Sequence, residues 1–248
     1  MAQTSGRIRI AVEDGRAEHQ VVPHNRWINA RKKLLSKEKQ LSKQRDALNK
    51  LRRQLPWEKV EKKYIFDGPD GKETLAELFG KHNQLLVYHF MFAPEWKEAC
   101  AHCSFWADHF DAIGVHLAAR DTAFVVISRA PMANIKAFKK RMGWKFKWVS
   151  SGGNDFNYDL MVSFTPKQLS SGRMYYNYSD IRKHLTSDRE GASAFYKHRG
   201  DVYHTYSTYA RGIDLLNSTY NWLDLTAKGR DEGDHGQFWV RFHDRYED

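Results

Sequence analysis

The sequence predicts an α/β fold built on a parallel core, and three observations carry that expectation. Two apolar runs, Leu85-Leu86-Val87-Tyr88-His89-Phe90-Met91-Phe92 and Ala123-Phe124-Val125-Val126-Ile127, have the length and composition of strands buried on both faces. Each is followed by apolar residues at helical spacing, and this strand-helix-strand-helix alternation argues for parallel strands joined by crossovers. The two cysteines of the chain stand together as Cys100-Ala101-His102-Cys103 just past the first run, where the chemistry of such sheets gathers.

Residues 1 to about 22 are polar and mixed, with one strand-like stretch at Arg7-Ile8-Arg9-Ile10-Ala11-Val12. Pro23-His24-Asn25 offers a helix start, with Pro near the first turn and Asn as a cap. From there Trp27, Leu34, Leu41, Leu48 and Leu55 recur every seven residues, widened by Leu35 and Leu51 and closed by Pro56. This is a long amphipathic helix with one apolar seam. Two readings compete for it: a seam packed on the domain with its lysines in water, or a functional helix that makes a coiled-coil contact with a second copy of the chain or serves as a basic arm for nucleic acid or another polyanion.

Asp67-Gly68-Pro69-Asp70-Gly71 is a turn between a strand at Lys62-Lys63-Tyr64-Ile65-Phe66 and a short helix at Leu75-Ala76-Glu77-Leu78-Phe79. After the cysteines, Phe105, Trp106, Phe110, Ile113 and Leu117 have the spacing of one helix, and a further helix runs from Pro131 through Ile135, Phe138 and Met142 to Gly143. Trp144-Lys145-Phe146-Lys147-Trp148-Val149 alternates as a half-buried strand, and Ser150 to Asp155 is a loop. A tyrosine-rich insertion of mixed structure covers about 150–185. Ala192 to Tyr196 and Val202 to Ser207 form an antiparallel hairpin about His198-Arg199-Gly200-Asp201. Leu215 to Leu223 reads as a helix, followed by a polar loop and the stretch Phe238-Trp239-Val240-Arg241-Phe242-His243. The organisation expected is a lead-in and basic helix over 1–60 and one main domain over 61–248.

Of 248 residues, 41% are hydrophobic and 28% charged, and no apolar run reaches the length of a membrane helix. The start Met-Ala-Gln-Thr-Ser-Gly-Arg has no hydrophobic segment behind it, so a cytoplasmic location is expected. The net charge of +10 sits in one segment: Arg26 to Lys63 holds fourteen Lys/Arg against four Asp/Glu, and the rest of the chain is balanced. Without aromatic residues interleaved on the basic face, nucleic acid is not the expected partner.

In a reducing compartment a lone C-x-x-C is catalytic or metal-binding rather than a staple. A cysteine that leaves a buried strand and opens a helix is placed for a stabilised thiolate. The first expectation is a thiol-disulfide or peroxide-type oxidoreductase that works through Cys100, His102 and Cys103, acting on cellular thiols, disulfides or a small molecule. The second is a copper or zinc site made by Cys100 and Cys103 with His204 or His89. Against it, a histidine between Tyr88 and Phe90 on a buried strand is commonly a satisfied core group. The third is a binding or scaffold domain without catalysis. Tyr158, Tyr175, Tyr176, Tyr203, Tyr206 and Tyr209 either line a cavity or pack around the insertion.

Taken together, the buried parallel strands, the C-x-x-C between the first strand and its helix and the closing hairpin resemble the thioredoxin superfamily in its peroxiredoxin-like form. The stretches Leu55-Pro56-Trp57, Phe66-Asp67-Gly68-Pro69-Asp70-Gly71, Tyr88-His89-Phe90-Met91-Phe92, Cys103-Ser104-Phe105-Trp106-Ala107-Asp108, Val162-Ser163-Phe164-Thr165-Pro166 and His204-Thr205-Tyr206-Ser207-Thr208-Tyr209-Ala210-Arg211-Gly212 resemble a large bacterial family of thioredoxin-like proteins known as a domain of unknown function. The resemblance runs from about Arg26 to Arg245. It implies a thioredoxin-like central mixed sheet flanked by helices, with the basic helix as an N-terminal extension. It also implies that Cys100 is the attacking and Cys103 the resolving cysteine, with His102 shifting the pair toward oxidant behaviour. Two features depart from the superfamily: Ala99 stands where a tryptophan precedes the cysteine, and Glu190-Gly191-Ala192 stands where a cis-proline faces it.

Overall fold

A computed structural model describes residues 9–11, 18–182 and 186–246. The chain divides into two compact units, one of Met1–Leu55 with Tyr220–Asp231 and one of Pro56–Thr219 with Glu232–Asp248. In the first unit β1 (Arg9–Ala11) pairs antiparallel with β2 (Glu18–Gln20), so the strand-like stretch at 7–12 is a strand where it is described. Helix α1 (His24–Arg52) begins just after Pro23, but Asn25 does not cap it; its side chain accepts the neighbouring Arg26 amide at 2.8 Å. Trp27, Leu34, Leu41, Leu48 and Leu55 are 45% to 66% exposed, and α1 buries none of its residues.

The second unit opens with β3 (Glu58–Lys59), then β4 (Ile65–Gly68) and β5 (Gly71–Thr74), joined as a hairpin across the expected Gly-Pro-Asp turn. A 3-10 turn, Glu77–Phe79, leads to β6 (Gln84–His89). Helix α2 (Ala101–Ala107) and α3 (Gly114–Ala118) precede β7 (Thr122–Ser128), and α4 (Met132–Arg141) precedes β8 (Lys147–Ser150). The insertion contains α5 (Phe156–Asp159), α6 (Pro166–Ser171) and the separate hairpin β9 (Arg173–Tyr176) and β10 (Ser179–Arg182), and the end of the tyrosine-rich stretch at 183–185 lies outside the described residues. Strands β11 (Gly191–His198) and β12 (Asp201–Tyr209) turn at Arg199 and Gly200, whose φ of 51° and 89° suit a two-residue hairpin turn. A 3-10 segment, Ala210–Leu216, and α7 (Ser218–Leu223) then replace the single helix expected at 215–223, and Phe238 to His243 forms no strand.

Eight strands make one mixed sheet in the order β3-β12-β11-β6-β7-β8-β4-β5. Strands β6, β7 and β8 are parallel, and β11 runs antiparallel to β6. The central order β12-β11-β6-β7, with the cysteines after β6, is the thioredoxin-like arrangement. Because side chains alternate, β6 sends Leu85, Val87 and His89 to one face and Leu86, Tyr88 and Phe90 to the other. The first face builds a core with Val125, Ile127, Val149, Phe156 and Phe195. The second is aromatic: Tyr88 meets Phe110 edge-on at 4.9 Å, and Phe90 meets Trp148 at 4.6 Å.

The helix expected to run from Cys103 to Leu117 is broken after Ala107. Asp108 accepts the Trp144 indole at 2.8 Å, and Asp111 accepts the amides of Lys145 and Phe146 at 2.8 Å. Tertiary acceptors at both aspartates outweigh the helical spacing of the apolar residues. The insertion carries its own small core of Val162, Phe164, Met174, Tyr176 and Tyr209. The tyrosines do not gather round one cavity: Tyr176 and Tyr209 pack there, Tyr203 lies against Trp57, and Tyr158 bonds Arg129. This core explains the glycine that opens β11. A Cβ on Gly191 would stand 2.5 Å from the Tyr209 ring, which is fully buried. Gly191→Ala is expected to cost about 1–3 kcal/mol by overpacking; chemical denaturation that shows no loss would contradict this packing.

Candidate active site

Cys100 leaves β6 through a short loop and caps α2. Its amide donates to the Met91 carbonyl at 3.1 Å, which ties the cysteine to the end of the strand. Its carbonyl accepts both the Ser104 amide at 3.0 Å and the Ser104 hydroxyl at 2.9 Å. Just upstream, Glu98 is held by Arg141 at 2.8 Å and Arg245 at 2.6 Å. The backbone that presents the sulfur is therefore fixed on both sides.

Both cysteines are free thiols, Cys100 partly open and Cys103 buried. The Cys103 amide donates to the Cys100 sulfur at 3.5 Å, and the Cys103 sulfur accepts the Met91 amide at 3.5 Å. The environment drives the two thiols apart. A hydrogen bond from the Cys103 thiol, helped by His102 and the Cys103 amide, overcomes burial and lowers the Cys100 pKa to about 5. Burial, reinforced by the Cys100 thiolate, pushes Cys103 well up. The split favours the thiolate at Cys100 and the protonated thiol at Cys103.

His102 is the third member. Its Nε2 lies 3.3 Å from the carbonyl oxygen of Gln237. A carbonyl only accepts, so Nε2 must carry the proton, and Nδ1 is the nitrogen left for the Cys100 sulfur. The hydrogen bond with Cys100 raises the His102 pKa against its desolvation. The neutral ring can take the Cys100 proton at Nδ1 and then hold the thiolate as an imidazolium. The same C-terminal segment grips α2 further along, with Trp239 edge-on to Phe105 at 5.3 Å and His243 on Asp108 at 2.7 Å.

Glu190, the residue before β11, brings a carboxylate to the site. Tyr176 Oη donates to the Glu190 main-chain carbonyl at 2.8 Å and lies 3.2 Å from Glu190 Oε1. The Glu190 charge acts on Cys103, His102 and Tyr88 alike. The loop before it is pinned by a buried ion pair, with Arg129 Nη2 2.6 Å from Asp188 Oδ1.

His89 and His204 meet each other and not the cysteines. One extra residue on β12, Thr205, shifts the register opposite Ala194 and Phe195, so His204 shares a face with Ser207. A chain then runs from His204 Nε2 to Ser207 Oγ at 2.7 Å, Ser193 Oγ at 2.7 Å and His89 Nε2 at 2.8 Å. His89 is fully buried, and desolvation, with His204 nearby, pushes its pKa down to about 3. This chain lies on the face of β6 opposite Tyr88 and Cys103, which corrects the metal expectation: among the described residues no group of three or more His, Cys, Asp and Glu could hold a metal ion. No helix among the described residues is long and apolar enough to cross a membrane.

Similar solved structures include a bacterioferritin comigratory protein of Xanthomonas campestris studied for alkyl peroxide reduction, at 10% identity over 62% of this chain and 86% of that one, with a TM-score of 0.42. A peroxiredoxin Q mutant of the same organism matches at 12% identity over 64% and 89% with a TM-score of 0.43. Peroxidoxin BcpB of Mycobacterium tuberculosis matches at 13% over 66% and 94% with 0.41. No curated protein matches the chain. Residues 16–246 match the family described as "Bacterial protein of unknown function (DUF899)", and the chain belongs to that family.

Proposed function

We propose that the protein is a dithiol oxidoreductase that uses Cys100 and Cys103 on a disulfide or a peroxide. The observation that carries this reading is the split between the two thiols: a partly open Cys100 with a pKa of about 5 beside a buried Cys103 held protonated. With a disulfide substrate, the Cys100 thiolate attacks one sulfur, the new S–S bond forms and the other substrate sulfur leaves as a thiolate. Cys103 then loses its proton, attacks Cys100 and releases the second substrate thiolate. With a peroxide, the Cys100 thiolate attacks one oxygen, the O–O bond breaks and the other oxygen leaves as an alkoxide or hydroxide that takes up a proton; the sulfenic acid so formed condenses with the Cys103 thiol to the disulfide and releases water.

The thiolate–imidazolium pair of Cys100 and His102 exists only in the reduced protein. It therefore stabilises the dithiol over the disulfide and raises the potential above the roughly −270 mV of a reducing thioredoxin. Titration in glutathione buffers, followed by alkylation of remaining thiols, is expected to show Cys100 and Cys103 protected together in one two-electron step. A protein that forms no disulfide at any ratio of reduced to oxidised glutathione would be a binding or scaffold domain, and the proposal would fail.

A further inference from the structure

We infer that Tyr88 is a catalytic residue of the second step, donating its hydroxyl to the Cys103 sulfur as that sulfur becomes a thiolate; this rests on the dithiol reading above. Tyr88 is buried on the α2 side of β6, with its ring clamped by Phe110 at 4.9 Å and Phe90 at 6.2 Å. Its hydroxyl finds no hydrogen-bond partner among the described residues. The polar groups that act on it are Cys103 first, then Glu190 and Cys100.

A buried hydroxyl without a partner is costly, and a thiol sulfur is a weak acceptor that offsets little of that cost. A thiolate is a strong acceptor. The pair is thus better matched after Cys103 has lost its proton than before, which is the condition for lowering a barrier rather than tightening the resting state. The Met91 amide at 3.5 Å supplies a second donor to the same sulfur. The need is real, because burial, the Cys100 anion and the Glu190 carboxylate all hold Cys103 protonated. Once Cys100 is in a mixed disulfide its charge is gone, and the Met91 amide, joined by the Tyr88 hydroxyl, favours ionisation of the remaining sulfur.

The test is a reaction with the aryl disulfide dithiobis-nitrobenzoate, read by the absorbance of released thionitrobenzoate. Cys100 displaces the first thionitrobenzoate and forms the mixed disulfide. Cys103 gives its proton to water, attacks the Cys100 sulfur and displaces the second. Tyr88→Phe keeps the ring and removes the hydroxyl. The first phase is expected to keep its rate and pH profile, while the second slows about ten- to hundredfold, the worth of one hydrogen bond to a charged acceptor. The melting temperature should not fall, since an unpartnered buried hydroxyl is removed. A second phase at the wild-type rate, or equal slowing of both phases, overturns the inference. A wild-type protein that shows no second phase overturns the dithiol reading itself, and this inference with it.

Discussion

At pH 6, iodoacetamide is expected to alkylate Cys100 and leave Cys103 untouched, with a rate that rises around pH 5 and stays flat above about pH 6.5. The sign follows from the lowered pKa of Cys100, about 5, which makes the reactive thiolate dominant above that pH. Against an ordinary thiol near pKa 8.5, the thiolate fraction at pH 6 is about 300-fold larger. A less basic sulfur is also a poorer nucleophile, by about 30-fold for such a shift, so the net gain in rate is only about tenfold. The position of the midpoint is therefore the decisive reading, and a midpoint between pH 8 and 9 would refute the thiolate. In His102→Ala the midpoint should move up, because the imidazole's hydrogen bond and charge are lost, and the rate at pH 5 should fall by about tenfold. It should stop short of an ordinary thiol, since the Cys103 thiol and amide remain in place.

Arg129→Met is expected to cost about 3–5 kcal/mol, the loss found when one partner of a buried ion pair is removed. Asp188 is almost wholly buried, and its Oδ1 accepts Arg129 Nε at 2.7 Å and the Ser163 hydroxyl at 2.7 Å, with Arg129 Nη2 as the charge 2.6 Å away. Even so paired, burial outweighs Arg129 and raises the Asp188 carboxyl above its ordinary value. A raised carboxyl pKa gives stability that is present at low pH and lost as pH rises. The deficit of the variant should therefore be larger at pH 8 than at pH 5, where Asp188 can protonate. Urea unfolding at the two pH values measures it. A loss under about 1 kcal/mol at pH 8 would show that the pair holds nothing in place.

The dithiol was legible because it needs only local information: a buried run, a three-residue spacing and a helix start place Cys100, His102 and Cys103 together. The same holds for β7, α4 and the β11–β12 hairpin, whose periods and turn residues are strong. Legibility ended where the deciding partner is distant in sequence. The helix beyond Cys103 looked continuous because nothing local shows that Asp108 and Asp111 are acceptors for Trp144, Lys145 and Phe146. Tyr88 could be placed on the α2 face by counting from His89, but in a strand buried on both faces composition does not mark which tyrosine meets a sulfur. His204 stands apart from the cysteines because one extra residue in β12 and the alternation of β6 turn its chain to the far side of the sheet, and nothing local in the sequence marks that bulge. Gln237 carries no side-chain signal at all, because it acts through its main-chain carbonyl.

That carbonyl also bears on the order in which the protein is made. Cys100, His102 and Cys103 leave the ribosome more than a hundred residues before Gln237. Until Gln237 emerges and docks, the imidazole can carry its proton on either nitrogen, and nothing reserves Nδ1 for the sulfur. The nascent chain therefore has its cysteines early and their full reactivity late. Thiols that are still slow to react while the chain is incomplete are less exposed to mispairing during synthesis, and extensions fused near residue 246 would be felt at the sulfur.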